Sequence, residues 1–97
     1  MTNKYANITL GAPTTTVVAT GPTILSGIII NKAAANAIIA IYDGLAATDT
    51  LVGTITMPAT LLATQNSIDM HELCMNKGLC IVTTTAQDIT VAYRASI

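Results

Sequence analysis

Stiff, β-branched side chains constrain the fold of this chain more than any other feature. Isoleucine, valine and threonine together supply 35 of the 97 residues. Two heavy atoms on Cβ restrict χ1 and favour extended, pleated backbone over helix. Turn signals interrupt these residues at short intervals, at Gly11–Pro13, Thr20–Pro22, Asp43–Gly44, Met57–Pro58, Asn76–Gly78 and Gln87–Asp88. Short runs between regular turns are typical of an all-β sandwich or barrel.

The segments between the turns predict seven strands, with an eighth at the N-terminal edge. They are Thr14–Thr20, Ile24–Asn31, Ala37–Tyr42, Leu51–Met57, Ser67–His71, Leu79–Thr85, Ile89–Arg94 and, at the edge, Ala6–Leu10. A chain of this length has room for one domain. We therefore expect a single small antiparallel β-sandwich or jelly-roll-like barrel of seven to eight strands. Residues 1–13 form an N-terminal arm or edge strand, and residues 14–97 form the sandwich domain.

Two short segments also permit a helical interpretation. Lys32–Ala40 is rich in alanine, which has the best helix propensity. The β-branched Ile38 and Ile39 in the same run favour a strand instead. Pro58–Thr64 is a second candidate for a short helical turn, because proline suits the first helical position. Neither alternative changes the all-β prediction.

Two strands alternate between apolar and polar residues, which predicts one buried and one hydrated face. In Ile89–Arg94, the residues Ile89, Val91 and Tyr93 share a face. In Leu51–Met57, the odd-numbered residues share one face and the even-numbered residues share the other. Successive side chains of a strand point to opposite sides of the sheet, so we expect one set in each strand to line the core.

Two other strands are apolar on both faces, namely Ile24–Ile30 and Ala37–Tyr42. The core of a two-layer sandwich covers only one face of a strand. The second face needs cover from a loop of the same chain or from another subunit, and we favour another subunit. The candidate interface residues are Ile24, Leu25, Ile29, Ile39 and Ile41. On this interpretation, Ile39→Asp is expected to break assembly.

Charged residues are scarce: the chain carries nine, with a net charge of −1, where an average chain of this length carries about 24. Four scattered cations make no phosphate-binding patch, so we expect no nucleic-acid partner. The charge-free stretch Tyr5–Asn31 is interrupted by proline and glycine, and Met1–Leu10 lacks the apolar segment of a signal peptide. We expect neither a membrane span nor secretion. Few surface charges also permit close contact between subunits.

One cluster contains residue types that can bind metals or take part in catalysis. It is Asp69–Cys74, followed by Cys80. Its His-x2-Cys-x5-Cys spacing matches no recognised zinc motif, and we expect no metal and no cofactor. His71 is the only histidine and Glu72 the only glutamate, so neither a catalytic triad nor a carboxylate pair is predicted, and we expect no enzyme activity. The two cysteines are expected to be reduced, although a disulfide across a short hairpin stays open.

Carbohydrate binding is the functional alternative of another class, because small β-sandwiches often carry it. Sugar-binding surfaces generally place an aromatic face beside hydrogen-bonding groups. The available aromatic residues are Tyr5, Tyr42 and Tyr93. Tyr93 is in phase with two core residues, so we expect it to pack inward.

Several segments resemble, in order, a family of small all-β proteins encoded among bacteriophage structural genes. They are Ser26–Asn31, Ile41–Gly44, Lys77–Thr84 and Asp88–Arg94. In that family a Gly-Ile strand, a Tyr-Asp-Gly turn, an Asn-Gly-Leu hairpin and a closing Thr-Val-x-Tyr-Arg strand recur in this order. Lys77 stands here where asparagine is usual, and the Ala33–Asn36 loop is poorer in glycine.

The resemblance implies a virion component without catalytic residues. Together with the low charge and spare apolar strand faces, it favours a capsid decoration or cement subunit that stabilises the head. The alternatives are a head-fibre, spike-base, tail or connector subunit. The expected partners are the major capsid protein or other virion proteins and further copies of the chain, a trimer being one possibility. The expected location is the virion, assembled in the host cytoplasm.

Overall fold

Eight strands and no helix make up the described part of the computed structural model, which covers residues 3–9, 14–57, 67–84 and 87–95. The strands are β1 (Lys4–Thr9), β2 (Thr14–Thr20), β3 (Thr23–Lys32), β4 (Ile38–Asp43), β5 (Thr50–Thr56), β6 (Ser67–Met75), β7 (Gly78–Thr83) and β8 (Asp88–Ala95). Each of the predicted strands is present. The β-branched composition and the turn signals therefore located the strands correctly.

The strands form two antiparallel sheets of four strands. Sheet I has the order β1-β8-β3-β6, and sheet II has the order β2-β7-β4-β5. The pairs β1·β8, β2·β7, β3·β6 and β4·β5 fall alternately in the two sheets. The chain thus follows the path of one long hairpin, with its tip between β4 and β5, rolled into two layers. This is the strand order of an eight-stranded jelly roll.

The inward faces of both sheets form one aliphatic core. The core residues are Ile8, Leu25, Ile28, Ile30, Ala37, Ile39, Ile41, Met57, Met75, Leu79, Ile81, Ile89 and Val91. Both sheets contribute because every second residue of a strand faces the partner layer. Tyr93 packs against this core, so the predicted inward phase of β8 is confirmed.

A β-bulge changes the predicted face pattern of β5. Gly53 pairs with Ile41 and Leu51 pairs with Tyr42, which leaves Val52 as an extra residue between them. Because a bulge shifts the alternation by one residue, Leu51 points outward and is 52% exposed, whereas Ile55 packs against the core. The expectation that Leu51 and Ile55 share a buried face is wrong.

The alanine-rich run forms a turn and a strand rather than a helix. Strand β3 extends to Lys32, and β4 begins at Ile38. Asn36, in the turn between them, has a φ of 60°, in the left-handed region that asparagine tolerates. Residues Pro58–Thr64, the other helical candidate, lie outside the described residues. Lys4–Thr9, within the predicted arm or edge segment, is an edge strand paired with β8.

The turn between β6 and β7 is held by a carboxylate from β4. Asp43 Oδ1 accepts hydrogen bonds from the backbone N–H groups of Lys77 at 2.8 Å and Asn76 at 2.9 Å. These two hydrogen bonds hold the pKa of Asp43 below its ordinary value of 3.8, and the bond from Lys77 has the larger effect. The carboxylate therefore fixes the crossing from sheet I to sheet II.

The lowered pKa of Asp43 predicts an acid-sensitive contribution to stability. A carboxyl whose pKa is lower in the folded chain stabilises it fully above the unfolded pKa, and this contribution is lost as pH falls through the folded pKa. We expect Asp43→Asn, which keeps the oxygen but not the charge, to lose about 1 kcal/mol at neutral pH. Urea unfolding of both proteins at pH 7 and below pH 3 checks this. A difference that does not shrink in acid would contradict it.

Candidate functional site

Charge is distributed very unequally between the two sheets. The strands of sheet I carry six of the nine charged residues, Lys4, Lys32, Asp69, Glu72, Asp88 and Arg94. The strands of sheet II carry one, Asp43, which is engaged with the β6–β7 turn. Asp49 and Lys77 lie in turns. The two outer faces of the sandwich therefore differ in chemistry.

Among the described residues, no strand places a charged side chain on the outer face of sheet II, although Asp49, in the turn before β5, lies close enough to act on Cys80. We call this outer face the uncharged face, and the strand register places on it Thr15, Val17, Ile38, Ala40, Tyr42, Leu51, Thr54, Thr56, Cys80 and Val82. Cys80 and Ala40 lie buried at its centre, while Val17 and Leu51 on the edge strands are 45% and 52% exposed. Val52, at the bulge, is also exposed. The face presents aliphatic side chains bordered by threonine.

The structure places the five predicted interface residues in two different environments. Leu25, Ile39 and Ile41 belong to the core and are at most 3% exposed. They are unable to contact a partner, so this part of the prediction is corrected. Ile24 is half-buried and Ile29 is exposed, and the register places both on the outer face of sheet I. A strand that is apolar on both faces does not reveal which face is inward, which explains the error.

Sequence reasoning missed the exposed residues of the uncharged face. Val17 lies in β2, next to the bulged residue Val18, which packs toward the core. Leu51 is turned outward by the bulge in β5. Of the residues on this face, Ile38, Ala40 and Tyr42 lie within a strand that the sequence predicts to be apolar on both sides. That double apolar pattern is the one sequence signal that this strand has an apolar outward face.

The outer face of sheet I carries charged and amide side chains besides the exposed Ile29 and Tyr5, and it contains an ordered amide network. We define this network as Asn7, Asn31, Asp88 and Thr90. The Asn7 side-chain amide donates to Asp88 Oδ1 at 2.8 Å, and that of Asn31 donates to the same oxygen at 3.1 Å. Both amides also donate to Thr90 Oγ1, at 3.2 and 2.9 Å. The network joins β1, β8 and the end of β3.

A second polar group, the Arg94 cluster, lies farther along the same face. It consists of Asn3, Ser26, Glu72 and Arg94. Arg94 Nη1 donates to Asn3 Oδ1 at 3.1 Å and to Ser26 Oγ at 3.0 Å, and Arg94 Nη2 pairs with the Glu72 carboxylate. Glu72 has a φ of 58° and is one of three β6 residues, 70–72, that lie opposite the single β3 residue Ser26. The guanidinium thus connects three strands of sheet I.

The candidate metal and thiol cluster is dispersed in the fold. Cys74 lies in β6 of sheet I and Cys80 in β7 of sheet II, so the two do not face each other across a hairpin, and both thiols are free. Within the described ranges, no three His, Cys, Asp or Glu side chains are placed to share a metal ion. Burial raises the pKa of the Cys80 thiol, and nearby Asp49 raises it further. A raised pKa lowers thiol reactivity.

A cavity of about 260 Å³ opens beside β2. Its lining residues are Lys4, Val18, Ala19, Thr20, Pro22, Thr23, Tyr93 and Ala95. Lys4 and Tyr93 are the only titratable side chains in that lining. Neither histidine nor carboxylate is among these lining residues.

No family model matches this chain, and no curated protein matches it. The described residues contain no helix, and therefore none that could span a membrane. What is established is an all-β jelly-roll sandwich with one polar and one uncharged outer face. Because a fold of this kind hosts many functions, the role has to be argued from those two surfaces.

Proposed function

We propose that this chain is a structural subunit of a bacteriophage virion, most directly a capsid decoration or cement subunit that stabilises the head by protein–protein contacts. The observation that carries the proposal is the uncharged face of sheet II. The resemblance of four segments to small phage structural proteins supports it independently. Jelly rolls also recur among viral capsid domains, which makes the fold compatible with this role.

The chemistry of the uncharged face is that of an association surface. Interface centres are depleted of charge, because each buried charge has to be desolvated. Val17, Leu51 and Val52 expose aliphatic surface that water solvates poorly. The threonines at the border supply polar groups without charge. A neighbouring protein therefore covers the strands of this face without desolvating a charged side chain on them, and Asp49 lies in the turn beside them.

The size of the face favours many weak contacts over one strong contact. Four strands spaced by about 4.8 Å, each about six residues long, make a face of about 400 Å². Two such surfaces bury about 800 Å² in total, below the 1,200–2,000 Å² of a standard stable interface. A single contact is weak, but repetition over the equivalent sites of a shell multiplies its effect. The major capsid protein and further copies of this chain are the proposed partners.

The proposal is tested on particles produced by a host that carries the gene. We expect the chain to co-sediment with purified phage heads, in many copies per particle, when gradient fractions are examined by quantitative mass spectrometry. Heads assembled without it are expected to break at a lower temperature. Recovery on tails or fibres alone would contradict the decoration role and assign the chain to the tail or fibres instead. Recovery only in the particle-free fraction would refute a virion role.

A charge on the uncharged face is expected to release the chain from its partner. Leu51→Asp places a carboxylate at an exposed position, so we expect normal folding but binding about tenfold weaker or worse, since burial of one leucine contributes about 1.5–3 kcal/mol. The matched control is Ile29→Asp, which makes the same change on the outer face of sheet I. Occupancy of purified heads is the measurement. An equal loss of head occupancy in both variants would contradict the assignment of the uncharged face as the contact surface.

A further inference from the structure

The outer face of sheet I has a feature that the proposed virion role does not use, an exposed aromatic ring. Tyr5 in β1 is 67% exposed. Its cross-strand neighbour on the same face is Ala92, and the next residue across is Gly27. Ala92 contributes only a methyl group beside the ring. Gly27 has no side chain, and the Ile68 carbonyl oxygen lies 3.0 Å from where a Cβ of residue 27 would be. We call Tyr5, Ala92 and Gly27 the Tyr5 surface.

Hydrogen-bonding groups border the Tyr5 surface on both sides. In sequence, Tyr5 lies between Asn3 of the Arg94 cluster, just before β1, and Asn7 of the amide network. Along β8, Ala92 likewise lies between Arg94 and Thr90, which belong to the same two groups. The internal hydrogen bonds of both groups fix the direction of their amides, hydroxyls and guanidinium. A ligand on the Tyr5 surface therefore meets polar groups that are already ordered.

This combination matches the chemistry of a pyranose sugar. A pyranose has an apolar C–H face, which packs on an aromatic ring, and hydroxyls around its edge, which pair with amide, hydroxyl and guanidinium groups. Asp69, whose side chain is 73% exposed, lies beside Gly27, and Arg94 is already paired with Glu72. An anionic sugar would meet an unfavourable carboxylate there. We infer that the Tyr5 surface is a binding site for neutral pyranose sugars.

The site is independent of the proposed virion contact. It lies on sheet I, whereas the uncharged face lies on sheet II, on the opposite side of the sandwich. Both surfaces are accessible in one molecule. A subunit held on a shell by one face presents the sugar site on the other, where repetition compensates for weak single-site affinity.

Amide chemical shifts of the full-length chain test the inference. The probes are the methyl pyranosides of mannose, galactose and glucose, titrated separately at millimolar concentrations, with N-acetylneuraminic acid as the anionic comparison. We expect at least one neutral glycoside to shift the amides of Gly27, Ala92 and Asn7 in a saturable manner. The acid is expected to bind more weakly than that glycoside. Shifts confined to sheet II, or none with any neutral glycoside, would overturn the inference.

The ring of Tyr5 provides the decisive variant. Tyr5→Ala removes the stacking platform and is expected to weaken binding by about fivefold or more. Tyr5→Phe keeps the ring and is expected to retain most of the affinity. Both are expected to keep the wild-type thermal unfolding midpoint, since the side chain is mostly exposed. Unchanged affinity in Tyr5→Ala would contradict a role for this surface in sugar binding.

Discussion

Replacing Ile39 by aspartate is expected to unfold the chain rather than to release a subunit contact. Ile39 is fully buried in β4 and packs in the core between the sheets. The substitution removes a buried aliphatic side chain, at about 2–5 kcal/mol, and adds a carboxylate whose burial costs several kcal/mol more. A domain of this size is stable by only about 5–15 kcal/mol. Ile39→Asp is therefore expected to remove most or all of the free energy of unfolding.

Far-UV circular dichroism and thermal melts of Ile39→Asp measure this effect. The comparison is Leu51→Asp, which introduces the same carboxylate in the adjacent strand β5, at a position that is half exposed. We expect a cooperative melt for Leu51→Asp and none for Ile39→Asp. If Ile39→Asp instead folds normally and only loses association, Ile39 would lie at an interface, and the placement of β4 in the core would be wrong.

The second large effect is expected from a single methyl group at Gly78. A Cβ at this position would lie 2.9 Å from the carbonyl oxygen of Ala19 and 3.1 Å from that of Gly44. It would also lie 2.8 Å from the Leu45 side chain, which is exposed and is able to move. The carbonyls are less free, because Gly44 N–H donates to the Gly78 carbonyl at 3.1 Å. Gly78 allows β7 to start close to β2 and β4.

We expect Gly78→Ala to lower the free energy of unfolding by about 2–4 kcal/mol, because backbone has to shift to make room. That corresponds to a fall of roughly 10 °C or more in the thermal midpoint of a domain this small. Gly53→Ala is the matched control, since a Cβ there meets no atom within 4 Å. Its midpoint is expected to change little. Equal midpoints for both variants would show that the crowding at Gly78 is relieved at little cost.

The strands of this fold are predictable from the sequence because their signals are local. Threonine, isoleucine and valine fill the runs, and glycine, proline, asparagine and aspartate mark the turns. The pairing of β1 with β8 joins opposite ends of the chain, and no local signal specifies it. The sequence therefore predicts a β-sandwich or a jelly-roll-like barrel without deciding the strand order. It also does not predict the register that brings Tyr5 beside Ala92.

The candidate site was harder to predict because bulges decide which side chains point outward. One extra residue at Val52, relative to β4, exposes Leu51, and one at Ser26, relative to β8, lets Leu25 and Ile28 both face the core. No residue type marks these positions in the sequence. The scarcity of charge favours a surface suited to association, and this stays a prediction. Its position on sheet II required the strand order and register.

Solution mass by light scattering, over a series of concentrations, tests most directly whether the uncharged face is an association surface. For the wild-type chain we predict a mass above the 10.0 kDa of the monomer, rising with concentration. Leu51→Asp is expected to stay monomeric, and Ile29→Asp is expected to associate like the wild type. Association that Leu51→Asp leaves intact, or that Ile29→Asp abolishes equally, would contradict the assignment of this face. A wild-type mass of 10.0 kDa at every concentration would exclude self-association through it and leave the capsid protein as its partner.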